Sequence, residues 1–297
     1  MGRAGAVSAL ILAVAIWGCS EEAPSITVGS KNFLEQVLLG EIAAQHLEHR
    51  LGARVGRQLN LGGTLLVHQA IVEGAIDLYP EYLGTAATAI LRLPPSNDAE
   101  SLGARVRQEY ATRFHLRWLN PLSFNNTFAV VIRRDDADRL HVRSLSDAGR
   151  HPTGWVLGVG YEFQQRTDGL PNLLRTYGLP LQGTPKVMDL GLLYRALLQG
   201  DVSMIAANST DGLLLSLDVT RLEDDRRSFP PYHASFVARL QALRQEPRLE
   251  AALEELSGTL SDETMRRLNQ KVLVHHGQVR QVATEFLRAS GLAPAQR

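Results

Sequence analysis

Along most of the chain, short β-branched and apolar runs alternate with apolar positions at helical spacing. Ile26-Thr27-Val28-Gly29 predicts a strand, and Phe33, Val37, Leu38, Ile42 and Leu47 mark one face of a helix running to Leu51. Arg54 to Leu59 predicts the next strand, Thr64 to Glu73 the next helix, and Ile76 to Tyr79 a short buried strand. After the turn Pro94-Pro95-Ser96-Asn97 come a helix from Asp98 to Phe114 and an extended run from Phe124 to Ile132. The alternation then restarts. Strands are expected at Trp155 to Gly160, Lys186 to Leu190 and Val202 to Ala207, with helices near Asn172 to Tyr177 and from Leu192 to Gln199. Phe229-Pro230-Pro231-Tyr232 punctuates the pattern, because proline blocks both helix continuation and ladder donation. Everything from Ser235 onward reads as helix.

Strand–helix–strand alternation implies α/β architecture with mostly parallel sheets under flanking helices. Two such units followed by a helical tail suggest two lobes. The first takes residues 26–125 plus 230–297, and the second, 126–229, is inserted between them. Such a chain crosses between lobes twice, and a ligand cleft forms at that kind of junction.

The first twenty residues carry Arg3 as their only charge. The apolar run from Ala4 to Trp17 has the length of a signal-peptide core and is too short to span a bilayer. It ends at Ile16-Trp17-Gly18-Cys19, and a small residue before a lone cysteine resembles a bacterial lipoprotein cleavage site. Residues 1–18 are therefore read as a leader, 19–25 as a tether, and Cys19 as the lipidation site. An ordinary secretory signal with an incidental cysteine is the competing reading. Cys19 is the only cysteine, so an internal disulfide and a zinc site on paired cysteines are both excluded. The expected location is outside the cytoplasm, held to a membrane by the anchor alone.

Composition narrows the chemistry further. Charged residues make up 21% and the formal net charge is zero, so nothing marks the chain for nucleic acid. Aromatics are only 6%, which makes any cluster of them informative. No nucleophile elbow, phosphate loop or dinucleotide fingerprint occurs, so no catalytic residue is assigned. The nine histidines are scattered and read as surface residues; no metal site and no cofactor are expected. Four segments carry more. Gly29-Ser30-Lys31-Asn32-Phe33 and Leu61-Gly62-Gly63-Thr64 each sit where a strand gives way to a helix, where free N–H groups favour an anion. Asp77-Leu78-Tyr79-Pro80-Glu81-Tyr82-Leu83-Gly84-Thr85 gathers tyrosines, acids and a threonine at a strand end. Ala207-Asn208-Ser209-Thr210-Asp211-Gly212 follows another strand and also reads as a simple turn.

These segments resemble those of the glycine betaine/choline-type substrate-binding proteins of osmoprotectant ABC transporters. So do Asn125-Asn126-Thr127-Phe128, Arg166-Thr167-Asp168-Gly169-Leu170, Gly191 to Leu197 and Phe229 to Tyr232. The resemblance runs in order from Ile26 to the C-terminus. It implies a two-lobed periplasmic-binding-protein fold of type II character with two hinge crossovers, no catalysis, a monomer, and delivery of a quaternary-ammonium solute to a permease and its ATPase. By position, Tyr82 and Tyr232 match ring walls, and Phe128 stands at a wall usually held by tyrosine. Lys31, Thr85 and Arg166 match the carboxylate-binding set, and Asp211 belongs to the same site. Two positions depart from the pattern: Asn208 replaces a frequent aromatic wall, and Asn126 stands where some relatives have aspartate. Tyr79 and Tyr161 are candidates for a compensating wall. A protein of the same fold for another polar solute, such as an amino acid, is the alternative.

Overall fold

The computed structural model describes residues 26–94 and 96–293. The leader, the tether and Cys19 lie outside the described residues. Among the described residues, ten strands form two five-stranded sheets. In chain order they are β1 (Ile26–Lys31), β2 (Val55–Gly62), β3 (Leu78–Tyr82), β4 (Leu116–Asn125), β5 (Phe128–Arg133), β6 (Leu157–Val159), β7 (Lys186–Val187), β8 (Met204–Asn208), β9 (Val219–Arg221) and β10 (His233–Arg239). The first sheet has the order β2-β1-β3-β10-β4 and the second β7-β6-β8-β5-β9. In each, two pairings are parallel and two antiparallel, so the sheets are mixed where mostly parallel ones were expected.

The parallel half of each sheet comes from the alternation seen in the sequence. The helix Leu34–Leu51 returns the chain from β1 to β2, burying Leu38, Leu39, Ile42 and Leu47 against the sheet. The helix Thr64–Glu73 closes at Gly74, whose φ of 83° is the left-handed geometry that ends a helix without a Cβ clash. The antiparallel half depends on β10, which lies between β3 and β4 in a stretch expected to be helical. Its sequence HASFVAR is buried from Ala234 to Ala238, and a short run buried on both faces carries no period that separates strand from helix. Of β4, only Phe124 and Asn125 fell within a predicted extended run, and Leu116 to Ser123 did not. The strand is interrupted by Pro121 and shifts register twice against β10.

The chain passes from the first sheet to the second between Asn125 and Phe128 and returns between β9 and β10. These two crossings run side by side. The Asn126 N–H donates to the Tyr232 carbonyl at 3.2 Å, and the Tyr232 N–H to Asn125 Oδ1 at 2.7 Å. His46, expected at the surface, is fully buried; its Nε2 lies 2.8 Å from the Ala252 carbonyl, and burial pushes its pKa down.

Candidate functional site

A cavity of ≈ 560 Å³ opens between the two sheets. Lys31, Tyr82, Thr85, Asn126, Phe128, Arg166, Asn208, Asp211 and Tyr232 all line it. Lys31, Tyr82, Phe128 and Asn208 stand at strand ends, Asn126 and Tyr232 in the crossings, and Thr85, Arg166 and Asp211 in the segments that follow β3, β6 and β8. Lys31 closes β1, Tyr82 closes β3, Phe128 opens β5, and Asn208 closes β8 directly across the ladder from Phe128. The cavity therefore sits at the mouth of both sheets, where side chains are free of ladder packing.

The rings gather in two groups. Tyr82 stacks with Phe33 at 6.2 Å between centroids. Phe128 meets Phe163, Phe229 and Tyr232 edge to face at 4.8, 5.5 and 5.4 Å. The Arg166 guanidinium lies 5.3 Å from the Phe128 centroid and 5.6 Å from that of Tyr232. Of the compensating candidates, Tyr161 lines the cavity at its exposed mouth, but Tyr79 does not. Successive strand residues face opposite ways, so Tyr79 points to the far side of β3 and donates to Glu81 in a separate cluster.

Both cations of the cavity already have internal partners. Lys31 Nζ is 2.5 Å from Glu81 Oε1, with both side chains buried. Arg166 donates from Nε and Nη2 to the two oxygens of Asp168 at 2.9 and 2.7 Å, and from Nη1 to Thr85 Oγ1 at 2.9 Å. Asp168 also accepts from Thr88 at 2.7 Å and from the Tyr232 hydroxyl at 2.5 Å. Burial would raise the Asp168 carboxyl, but Arg166 and these hydroxyls hold it below its ordinary range. Arg166 stays charged for the same reason, the Asp168 bond outweighing the cost of burial. Thr85 accepts from Arg166, which leaves its own hydroxyl proton to offer to a bound anion.

Glu35 is a residue that sequence reasoning missed. It is buried in the first turn of the helix Leu34–Leu51, where an acid is ordinary and carries no signal of a site. Its carboxylate accepts from the Tyr82 hydroxyl at 2.7 Å, Asn126 Nδ2 at 2.8 Å, Thr210 Oγ1 at 2.5 Å and Asn269 Nδ2 at 2.9 Å. Burial pushes its pKa up, and the donors pull it back only in part. Asp211 is pushed up to about 6 by burial, with Glu35 adding repulsion. Glu162 was missed as well. It reaches across the cleft and accepts from the Thr64 N–H at 2.9 Å and the Thr64 hydroxyl at 3.1 Å. Burial acts to raise its pKa, yet Lys31, the Thr64 N–H and Arg166 together hold it low. The anion expected at the Gly62-Gly63-Thr64 turn is thus one of the chain's own carboxylates.

Among the described residues, no group of three His, Cys, Asp or Glu side chains could hold a metal ion. Two α/β lobes joined by paired crossings, closing on a cavity lined by rings and paired charges, define the class of cleft-type solute-binding proteins. The chain belongs to the family described as the substrate binding domain of ABC-type glycine betaine transport systems, whose model matches residues 24–289. It is 32% identical over 95% of its length to the ergothioneine transport permease/ergothioneine binding protein of Helicobacter pylori strain G27, and spans only 51% of that protein. It is 30% identical to the carnitine transport binding protein of Listeria monocytogenes serotype 1/2a strain 10403S, covering 89% of this chain and 86% of the relative. A solved glycine betaine/carnitine/choline ABC transporter structure superimposes with a TM-score of 0.77 at 28% identity, over 90% of this chain and 99% of the other. The family binds solutes and is not one of enzymes. Such substrate-binding proteins work outside the cytoplasm, and no helix among the described residues is long and apolar enough to cross a membrane.

Proposed function

We propose that the cavity binds a small betaine, a molecule with a quaternary ammonium and a nearby carboxylate. The lobes 26–125 plus 230–297 and 126–229 close over it and present it to a membrane permease driven by an ATPase. Cys19 carries the lipid anchor, and the working form is a monomer. One observation carries the ligand class: Arg166 lies over the rings of Phe128 and Tyr232 while bonded to Thr85. A trimethylammonium head donates no hydrogen bond, so it is recognised by ring faces, each worth roughly 0.5–2 kcal/mol when water is excluded. A carboxylate needs N–H and O–H donors. Rings and guanidinium in contact suit a ligand whose two charges are one or two carbons apart. Lys31 and Thr85 complete the carboxylate end in this reading, and Tyr82, Phe128 and Tyr232 the methylammonium end, with Asn126, Asn208 and Asp211 beyond them.

Calorimetry with glycine betaine, choline, proline betaine, carnitine and ergothioneine tests this. Binding by at least one of them is expected. Silence from all five, alongside clear binding of an ordinary amino acid, favours the second reading, a polar amino acid held through its ammonium. Glu35 and Asp211, two acids in one cavity, are what support that alternative.

A further inference from the structure

Thr88 faces two acceptors with one proton. Its hydroxyl lies 2.7 Å from the Gly84 carbonyl, four residues back in its own segment, and 2.7 Å from Asp168 Oδ2. A hydroxyl donates once and a carbonyl never donates. Asp168 has no proton to give either: burial acts to raise its carboxyl, but Arg166 and the hydroxyls around it hold it low. Gly84 and Asp168 therefore compete for the Thr88 proton. The competitors belong to different halves of the molecule, since Gly84 and Thr88 follow β3 of the first sheet and Asp168 follows β6 of the second. A bond to an ionised acceptor is roughly twice as strong as one to a neutral carbonyl, so Asp168 holds the proton while the halves are together.

Neither Thr88 nor Asp168 is among the residues that line the cavity, whereas Arg166 and Thr85 are. Both are buried behind its wall. From there the Asp168 carboxylate grips the Arg166 guanidinium by two bonds, at 2.9 and 2.7 Å, and Arg166 reaches forward to Thr85 and the rings of Phe128 and Tyr232. Donation from Thr88 thus fixes the second half to the first at the back of the one guanidinium that faces the ligand. Thr88 sits in Ala86–Ile90, a turn wound as a π-helix, and such turns recur at functional sites.

We propose that Thr88 is a positioning residue and a latch of lobe closure, its hydroxyl proton passing from the Gly84 carbonyl to Asp168 when the lobes meet and so seating Arg166 for the ligand. This rests on the reading of the two lobes as closing over a solute. With the lobes apart, Thr88 keeps the ordinary back-bond of a helical threonine to the carbonyl four residues earlier. Its hydroxyl has an acceptor in both states, so opening leaves no stranded donor and the latch stays reversible.

Two variants test it. Thr88→Val keeps the shape and removes the hydroxyl, and Thr88→Ser keeps the hydroxyl. Affinity is measured by calorimetry and dissociation by stopped flow, the probe being whichever of glycine betaine, choline, proline betaine, carnitine and ergothioneine the unaltered protein binds most tightly. Thr88→Val is expected to weaken binding about fivefold, the difference between a charge-assisted and a neutral hydrogen bond. The loss should appear as faster dissociation, because the latch acts only in the closed state. Thr88→Ser should bind within about twofold of the unaltered protein. A threonine with a merely structural role would lower the melting temperature of Thr88→Val and leave its affinity alone, and that result overturns the inference. So does a loss that Thr88→Ser fails to restore, or one carried by slower association alone. X-ray scattering separates the two readings. No ligand-induced contraction of the unaltered protein overturns lobe closure and the latch together, whereas normal contraction with unchanged Thr88→Val affinity overturns the latch only.

Discussion

The Tyr232 hydroxyl donates to Asp168 while the ring lies beneath Arg166, so one side chain supports the cation's partner and the cation itself. Two substitutions separate these roles. Tyr232→Phe keeps the ring and leaves Asp168 its bonds from Arg166 and Thr88, so betaine affinity should fall by no more than about threefold. Tyr232→Ala removes the ring and should cost roughly 1–2 kcal/mol, a loss of about five- to thirtyfold by calorimetry. Equal losses for the two would mean that the hydroxyl, not the ring face, holds the ligand. Lys31 needs a different experiment. Its ammonium compensates the fully buried Glu81, which also accepts from the Tyr82 N–H at 2.6 Å. Lys31→Ala strands that carboxylate and should destabilise the fold by about 3–5 kcal/mol, whatever it does to binding. Lys31→Met combined with Glu81→Gln should recover most of the melting temperature, because no buried charge is then left unpaired. A double variant as unstable as Lys31→Ala would rule out charge compensation as the reason for the pair.

Elements delimited by their own residues were legible in the sequence, and those delimited by distant partners were not. The helix Thr64–Glu73 keeps its predicted bounds because Gly63 and Gly74 flank it. β10 does not, because its partners β3 and β4, both distant in the chain, decide that HASFVAR extends and does not coil. The same logic sorts the site. Tyr82, Phe128, Arg166 and Tyr232 stood in motifs with a recognisable order. Glu35 did not, because its importance lies in four donors brought from Tyr82, Asn126, Thr210 and Asn269, which the sequence keeps far apart. Glu162 belongs with it: a residue on a short helix after β6 that takes the place of an N-cap for the helix Thr64–Glu73 across the cleft. That bond exists only when the lobes are together. Glu162→Ala should therefore weaken ligand binding by about fivefold, the roughly 1 kcal/mol worth of a cap, with the loss shared by every ligand that needs closure. Unchanged affinity in calorimetry would remove Glu162 from the closing contacts.

At the scale of the whole molecule, closure brings backbone against backbone. A Cβ at Gly212 would come within 2.3 Å of the Gln270 nitrogen and 2.7 Å of the Asn269 carbonyl carbon, on a helix packed across the cleft. Gly212→Ala should hold the lobes apart, lowering affinity for all ligands more than tenfold and leaving the radius of gyration in X-ray scattering unchanged when ligand is added. A ligand-induced contraction of normal size would show that the contact yields. The same turn sets the response to pH through Asp211. Its folded pKa of about 6 lies above the ordinary 3.8, so between these values the folded chain holds a proton that the unfolded chain has released. The contribution favours folding below pH 4 and is lost as pH rises through 6, up to about 3 kcal/mol at 1.36 kcal/mol per unit. Asp168 and Glu162, held below their ordinary values, act in the opposite sense, so the melting curve of the unaltered protein mixes both. Asp211→Asn isolates the term, since asparagine has no proton to lose. Its melting temperature relative to the unaltered protein should rise between pH 5 and pH 7, most clearly without ligand, where Glu35 repels the charge unopposed. A difference that stays flat over that interval means Asp211 titrates as it does in water, and the strain assigned to its burial is absent.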